Sequence, residues 1–222
     1  MAGKGSKGYK GIGMEGPIAR WYATGAGQRD ARRVAEEARQ VAACLPGGGQ
    51  VLEVGPGPGL MAIELARTGK YQVTGLDIST TFVEIARRNA AAADVAADFR
   101  HGNAASMPFE DESFDLVACC AAFKNFAEPV QVLREMQRVL RPSGRAIVID
   151  LRHDVSRRAV RAEVERMSLG PAARVLTSFT LRSFQAHRAY TRDQFDEFIA
   201  RSRFAFAGIR QTPVALEVHM QK

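Results

Sequence analysis

The feature that most constrains the fold is a run of alternating glycines directly after a short apolar segment. Residues 51–59 read Val-Leu-Glu-Val-Gly-Pro-Gly-Pro-Gly, and a helical pattern opens at Leu60. Glycine is required where a ligand approaches the backbone closely, because a Cβ would clash there. A helix that begins straight after such a loop adds free N–H groups and the positive end of its dipole. The segment predicts a strand, a ligand-binding loop and a helix, although a purely structural tight turn remains an alternative.

The spacing of Gly55, Gly57 and Gly59 separates two classes of glycine loop. Dinucleotide-binding enzymes use G-x-G-x-x-G, in which the third glycine packs the helix on the strand. That third position is Leu60 here. The other class has G-x-G-x-G with an acidic residue two positions before the first glycine, which is Glu53 in this chain. The spacing therefore disfavours an NAD-dependent oxidoreductase.

A second constraint is Asp77, which directly follows the apolar segment 71–76. In a doubly wound sheet this position lies beside the first glycine loop, at the carboxyl edge where ligands bind. A carboxylate there can accept hydrogen bonds from both hydroxyls of a ribose, each worth about 1.5–3 kcal/mol. Ile78 would then pack on an adenine ring. The alternative role for Asp77 is that of an N-cap for the next helix.

Strand-like and helical segments alternate through the first two thirds of the chain. Apolar strands are predicted at residues 50–54, 71–76, 97–101, 114–120 and 146–151, with helices at 60–67, 79–93 and 130–140. This order predicts a parallel sheet with helices on both faces. Two later apolar runs, 204–210 and 214–220, predict a closing antiparallel pair. The predicted fold class is α/β: a Rossmann-like, doubly wound, mostly parallel seven-stranded sheet with an antiparallel last strand.

The chain is expected to form a single domain over residues 1–222, since the pattern contains neither an internal repeat nor a linker. Residues 1–16 are rich in glycine and predict a flexible N-terminus. Residues 17–45 have helical periodicity and predict an N-terminal helical cap, part of which we expect to fold over a bound cofactor. Residues 152–190 contain two further helical patterns, at 156–168 and 172–186.

Five motifs stand in a fixed order along the middle of the chain. They are residues 53–59, Asp77, 102–109, 113–117 and 135–144. Together they resemble those of class I S-adenosylmethionine-dependent methyltransferases, and the branch that looks most similar is the ubiquinone/menaquinone-biosynthesis-like small-molecule group. The resemblance covers residues 48–151 and is specific, because all five motifs agree in order and spacing.

The resemblance implies S-adenosyl-L-methionine as cofactor and S-adenosyl-L-homocysteine as product. The loop glycines would line its methionine end, Asp77 would hold the ribose, and Asn103 and Ala104 would contact the adenine edge. The backbone at Cys119 and Cys120 would face the methionine amino group. The full set of expected cofactor-binding residues is Tyr22, Glu53, Gly55, Gly57, Gly59, Asp77, Ile78, Asn103, Ala104, Met107, Cys119 and Cys120. No metal site is expected.

Two departures from the family pattern bear on the chemistry. The family usually has Asp where Asn103 stands, but an amide oxygen can also accept from an adenine amino group. A His pair is common after the fourth strand, where this chain has Lys124 and Asn125. The catalytic base is therefore unknown, and the candidates are His153, His187, Tyr190 and Lys124. His187 and Tyr190 lie in residues 152–190, which the resemblance identifies as a helical substrate lid.

The expected reaction is transfer of a methyl group to an O, N or C nucleophile of a small molecule by in-line displacement. Holding the two reactants at near-attack distance can supply about 7–11 kcal/mol of the barrier. The alternatives are a nucleic-acid methyltransferase and a non-catalytic module that binds S-adenosylmethionine. The net charge of +7 favours nucleic acid, but the segment 118–125 lacks the proline-containing motif of exocyclic-amine methylators.

The amino-acid composition limits the cellular location and the binding partners that we expect. Three cysteines, two of them adjacent, form neither a disulfide framework nor a metal-binding spacing and are typical of a reducing cytoplasm. No run of 18 apolar residues predicts a membrane span. A small-molecule methyl acceptor is the expected partner and nucleic acid is not. The oligomeric state is open, with a homodimer as one alternative.

Overall fold

The computed structural model of the 222-residue chain describes residues 8–10, 13–24, 31–167, 170–181 and 186–222. Seven strands form one sheet, in the order β3-β2-β1-β4-β5-β7-β6. The strands are β1 Gly49–Val54, β2 Tyr71–Asp77, β3 Asp98–His101, β4 Phe114–Cys120, β5 Leu140–Leu151, β6 Phe206–Gln211 and β7 Ala215–Gln221. The first five pair in parallel and β7 runs antiparallel to both β5 and β6. The predicted fold class is confirmed.

Helices flank the sheet and extend from it. They are α1 Gly16–Thr24, α2 Ala31–Cys44, α3 Leu60–Ala66, α4 Thr80–Ala92, α5 Pro129–Val139, α6 Arg157–Arg166, α7 Pro171–Thr180, α8 Ala186–Arg188 and α9 Arg192–Ala200. Helices α1 and α2 lie in the predicted cap at 17–45. Helix α7 covers the first part of the predicted helix at 172–186, and residues 182–185 lie outside the described ranges. The predicted flexible N-terminus falls mostly outside the described residues.

The two faces of the sheet bury different residues because successive strand side chains point in opposite directions. Leu52, Val117 and Val148 belong to one core, which α5 and α9 cover. Their neighbours Val51 and Leu116 belong to the other core, to which α2, α3 and α4 contribute. Both faces are therefore dry, as an almost entirely parallel sheet requires.

Strand β5 begins earlier than the sequence predicts. Its pairing with β4 starts at Leu140 opposite Phe114 and then shifts register before Arg145. Ser143 has a φ of +63°, which allows the chain to bend there without leaving the sheet. The pattern Arg-Pro-Ser-Gly indicates a turn, but in the structure it is a bulged part of the strand.

Helix α1 rests on α4 rather than on the sheet. Ala19 is fully buried and packs with Phe82 and Ile85 of α4. This places α1 above the carboxyl ends of β1 and β2. Within the described ranges, no helix has both the length and the apolar character that a membrane crossing needs.

Candidate cofactor- and substrate-binding site

A cavity of about 500 Å³ opens at the carboxyl ends of the parallel strands. Its volume lies within the roughly 300–1,000 Å³ that is typical of small-molecule sites. Residues that follow β1, β2, β3 and β4 form its floor, and α1, residues 8–9 and Arg188 form its walls. The lining residues that carry the following argument are Gly8, Tyr9, Ile18, Trp21, Tyr22, Gly55, Gly57, Asp77, Ile78, Asn103, Ala104, Ala121, Ala122, Lys124, Phe126 and Arg188.

The three loop glycines differ in what a side chain would meet at each position. All have positive φ, between +55° and +79°. A Cβ on Gly55 would lie 2.6 Å from Ala122 Cβ, and one on Gly59 would lie 2.7 Å from Phe99 Cζ. The absence of a side chain at Gly59 therefore allows the start of α3 to pack closely on Phe99 of β3. A Cβ on Gly57 would meet nothing within 4 Å. Gly57 thus leaves room at the cavity and exposes its backbone to a ligand.

Asp77 is held at the rim of this loop. Its Oδ2 accepts from the backbone N–H of Gly57 and its Oδ1 from that of Ser79, both at 2.9 Å. Burial raises the pKa of Asp77, while these two hydrogen bonds and His101 oppose the rise. The N-cap of α4 is Ser79, which accepts from Phe82 N, so Asp77 is not the cap. Each carboxylate oxygen retains a lone pair that can accept from a ligand hydroxyl.

The expected adenine end is partly shaped by the N-terminal segment. Ile78, Asn103 and Ala104 line the cavity. A Cβ on Gly8 would clash with Ile78 Cδ1 and lie 2.9 Å from Asn103 Oδ1, so this segment passes directly over both residues. Asn103 Oδ1 also accepts from Ala105 N at 2.9 Å. The oxygen that we expected to meet adenine thus already holds a local turn.

Several expected cofactor contacts lie away from the cavity surface. Glu53, Cys119 and Cys120 are fully buried within β1 and β4, and Met107 is 5% exposed in the core. Ala121 and Ala122, which directly follow β4, line the cavity instead. A strand that is buried on both faces can contact a ligand only through the residues after its end. We therefore expect Ala121 and Ala122, rather than Cys119 and Cys120, to face the methionine end of the cofactor.

Of the four candidate bases, three do not line the cavity and one does. His153 and His187 are both exposed, with ring centroids 6.3 Å apart, and neither lines the cavity. Tyr190 is 8% exposed, packs on Phe123 and Phe198, and has its pKa raised by burial to about 12. Such a phenol does not ionise near neutral pH. Of the four, only Lys124 lines the cavity.

Lys124 is one half of a buried ion pair that sequence reasoning missed. Its Nζ lies 3.0 Å from Asp150 Oδ1, and its backbone N–H donates to Asp150 Oδ2 at 2.8 Å. Lys124 is 5% exposed and Asp150 3%. The sequence did contain a signal for Asp150. Like Asp77, it is a carboxylate near the end of an apolar strand. Arg188 and Lys10 were missed because only the tertiary fold brings them to this end.

Tyr22 lines the cavity as expected, with its ring edge-to-face against Phe82 at 5.9 Å. Trp21 and Ile18 of the same helix also face the cavity and remain 60% and 47% exposed. Helix α1 therefore supplies an apolar wall, and its exposed side chains lie where a ligand would cover them.

Residues 52–148 match the methyltransferase domain family. An S-adenosylmethionine-dependent methyltransferase of Aquifex aeolicus superposes with a TM-score of 0.62 at 16% identity, over 87% of this chain and 99% of that one. The family match covers less than half of the chain, and at this identity the solved structure shows a shared fold. The plantazolicin methyltransferase BpumL, solved with S-adenosylhomocysteine, matches this chain with a TM-score of 0.70 and 15% identity, covering 93% and 90% of the two chains.

Curated relatives are similar to part of this chain. The demethylmenaquinone methyltransferase of Deinococcus radiodurans is 39% identical over 102 residues, which are 46% of this chain and 42% of that protein. The enzyme of the same name from Listeria monocytogenes is 41% identical over 92 residues, or 41% and 38% of the two chains. The match therefore spans about two fifths of each relative.

Proposed function

We propose that this protein transfers the methyl group of S-adenosylmethionine to an O, N or C nucleophile of a small molecule. The observation that carries the proposal is the position of Asp77, a buried carboxylate at the end of β2. It is bonded to the backbone of the glycine loop and faces a cavity large enough for a cofactor and a small acceptor. The names of the curated relatives support a small-molecule acceptor, since both refer to a quinone precursor.

The residues fit this cofactor in three respects. Asp77 can accept from a ribose, Ile78 offers an apolar face for the adenine, and Gly57 leaves space without side-chain obstruction. Bound S-adenosylmethionine would supply a methyl group on a sulfonium: the nucleophile of the acceptor would form a bond to the methyl carbon in line as the carbon–sulfur bond breaks, and S-adenosylhomocysteine would leave with the bonding electron pair. The contribution of the protein is to hold the two reactants in contact and to exclude water.

The acceptor would sit between α1, the end of β4 and the helices that follow β5. Ala121, Ala122 and Phe126 form one wall, and Trp21 and Ile18 face the same space. The Lys124–Asp150 pair ties the turn after β4 to β5 and so fixes this wall. Among the described lining residues there is no histidine, and the cavity itself offers positioning rather than a neutral imidazole base.

The test is calorimetric titration of the purified protein with S-adenosylhomocysteine, with NAD as the control ligand. We expect saturable binding of S-adenosylhomocysteine and none of NAD, because Leu60 replaces the third glycine of the dinucleotide loop. Formation of S-adenosylhomocysteine from S-adenosylmethionine in the presence of quinols, phenolic acids or amines then identifies the acceptor. Absence of S-adenosylhomocysteine binding would overturn the cofactor assignment.

We also propose a cytoplasmic location. Cys44, Cys119 and Cys120 are all free thiols, which fits a reducing compartment. The arrangement of the chain as one domain stays a prediction. The oligomeric state is open, with a homodimer as one alternative, and sedimentation analysis of the purified protein measures it.

A further inference from the structure

Helix α7 leaves two large apolar side chains in solvent. Val175 is 73% exposed and Phe179 is 62% exposed. Because they are four positions apart on one helix, they lie next to each other on the same side of α7. Neither lines the cavity, and α7 packs chiefly on α6 rather than on the sheet. The two side chains therefore form an apolar surface that the described part of the chain does not cover.

Exposed arginines lie beside this apolar pair. Arg174 is exposed and directly precedes Val175, about 100° round the helix. The neighbouring helix α6 adds three more exposed arginines, which are Arg157, Arg158 and Arg161. The axes of packed helices are about 8–10 Å apart, so a single flat partner can contact both helices. We call Arg157, Arg158, Arg161, Arg174, Val175 and Phe179 the α6–α7 surface.

Nearby carboxylates do not balance the positive charge of the α6–α7 surface. Among the described residues, no Asp or Glu lies within ion-pair distance of its four arginines. Glu163 of α6 is shared by Arg33 of α2 and by Arg166, at 3.9 and 3.7 Å. The other carboxylate of α6 is Glu165, which is exposed. The α6–α7 surface therefore attracts a partner that carries negative charge.

Three kinds of partner could cover such a surface, and its residues favour one of them. In a two-fold dimer the surface would face its own copy, and the arginines of the two copies would repel each other. Duplex nucleic acid offers phosphates but no apolar layer that could bury Val175 and Phe179. An anionic bilayer offers both, because its phosphate head groups lie directly above the acyl chains.

We propose that the α6–α7 surface binds the face of an anionic lipid bilayer. Its guanidinium groups donate paired hydrogen bonds to lipid phosphates, and Val175 and Phe179 enter the boundary between head groups and acyl chains. This binding agrees with a cytoplasmic location, because the cytoplasmic leaflet is the anionic one. It goes beyond methyl transfer and is measured without cofactor or acceptor, so its failure would leave the proposed function unaffected.

The experiment is cosedimentation of the full chain with lipid vesicles. Vesicles of equal parts phosphatidylglycerol and phosphatidylcholine are compared with vesicles of phosphatidylcholine alone. We expect the protein to bind the anionic vesicles about tenfold or more tightly, because each arginine near an anionic surface adds to the attraction. Added salt should weaken this binding, since it screens exposed charges. Equal binding to both kinds of vesicle, or binding to neither, would overturn the proposal.

Two double variants test the charged and the apolar part of the surface. Arg158→Gln with Arg161→Gln should weaken binding to the anionic vesicles about tenfold or more, because two contacts to phosphate are lost. Val175→Gln with Phe179→Gln should also weaken it, because less apolar area enters the bilayer. Circular dichroism confirms that each variant is folded.

Matched controls carry the same replacements on other elements. Arg88→Gln with Lys70→Gln removes two exposed charges, and Phe206→Gln removes an apolar side chain that is 67% exposed on β6. Both controls should bind the anionic vesicles as the wild type does. Losses as large as those of the α6–α7 variants would show that only overall charge or hydrophobicity matters, and would contradict the assignment.

Tryptophan fluorescence measures insertion at a single position. Trp21 is the one tryptophan of the chain, so Trp21→Phe provides a background without indole emission. In that background, the emission of Phe179→Trp should move to shorter wavelength on anionic vesicles and be quenched by brominated lipid. The emission of Phe206→Trp should do neither. An unquenched Phe179→Trp would overturn the proposal.

Two further measurements check the rival partners when vesicle binding is absent. A concentration-dependent dimer in sedimentation that is lost in Val175→Gln with Phe179→Gln would assign the surface to a second copy of the chain. A gel shift of duplex DNA that is lost in Arg158→Gln with Arg161→Gln would assign it to nucleic acid. Either result would show that the proposal is wrong.

Discussion

Asp77 does two things at once, and they depend on the same two oxygens. It orders the loop by accepting from Gly57 and Ser79, and it keeps a buried negative charge beside the cavity. Burial of a carboxylate without such donors would favour its neutral form. The two backbone hydrogen bonds therefore help to keep the carboxylate ready to accept from a ribose.

Replacement of this carboxylate tests its role in binding. We expect Asp77→Ala to weaken S-adenosylhomocysteine binding by about 2–4 kcal/mol, because two charge-assisted hydrogen bonds are lost. Asp98→Ala, which removes a half-exposed carboxylate on the neighbouring strand β3, is the matched control and should bind normally. Calorimetry measures both variants. A loss of less than about 0.5 kcal/mol in Asp77→Ala would mean that the ribose is held elsewhere.

The buried Lys124–Asp150 pair should contribute to the free energy of unfolding. Removing one partner of a buried pair leaves the other charge without compensation, which typically costs about 3–5 kcal/mol. We expect Asp150→Asn to lower the free energy of unfolding by this amount. The double variant with Lys124→Met should recover a large part of it. Urea denaturation of the wild type, both single variants and the double variant gives the coupling directly.

The control for that prediction is another ion pair near the end of the same strand. Asp154 pairs with Arg152, but its side chain is 55% exposed. Asp154→Asn should therefore change the free energy of unfolding by about 1 kcal/mol or less, since exposed pairs contribute little. A loss in Asp150→Asn no larger than this would show that the buried pair is relaxed by water.

At the scale of elements, the start of α1 is fastened to the start of α4 through Glu15. Its Oε1 accepts from Thr80 Oγ1 at 2.7 Å and from Thr81 N at 2.9 Å. Burial acts to raise the pKa of Glu15, but hydrogen bonds from Thr81, Ser79 and Thr80 outweigh it and lower the pKa to about 2. This contact adds to the packing of Ala19 and Tyr22 on α4 in holding α1 over the cavity.

The depressed pKa of Glu15 gives its contribution a defined pH window. The contribution is fully present above the ordinary carboxyl pKa of 4.5 and disappears as the pH falls towards about 2. We expect Glu15→Gln to be less stable than the wild type at neutral pH, with faster hydrogen exchange in α1. The difference should shrink across that window. Glu84→Gln, at an exposed position on α4, is the control. A difference that does not depend on pH would contradict the role of the charge.

Elements that carry their own signals could be predicted from the sequence. Strand β1, its glycine loop and α3 follow from one short stretch of residues, because the loop geometry needs positive φ at successive glycines. The bulged start of β5 could not be predicted in this way. Arg141–Gly144 resembles a turn locally, and it becomes part of a strand only because β4 pairs alongside it.

At the scale of the whole molecule, the missed site residues share one cause. Lys10 and Tyr190 are 180 positions apart and meet beside the cavity, while Gly8 lies over Ile78 and Asn103. No periodicity or motif spacing in the sequence predicts either of these contacts. The cofactor end of the site could be predicted because its residues follow consecutive strands, and the acceptor end could not because three separate segments build it.

Because distant segments build the cavity, a bound ligand should change the stability of the whole chain. If the described parts form one cooperative unit around the cavity, a ligand that binds only the native state stabilises all of it. S-adenosylhomocysteine at about 100 times its Kd should raise the free energy of unfolding by about 2.7 kcal/mol. For a chain of this size the melting temperature should rise by about 5–11 °C, in a single transition. The shift should largely disappear in Asp77→Ala at the same ligand concentration. Two separate transitions in calorimetry, with only one of them moved by the ligand, would show that the chain divides into independent units.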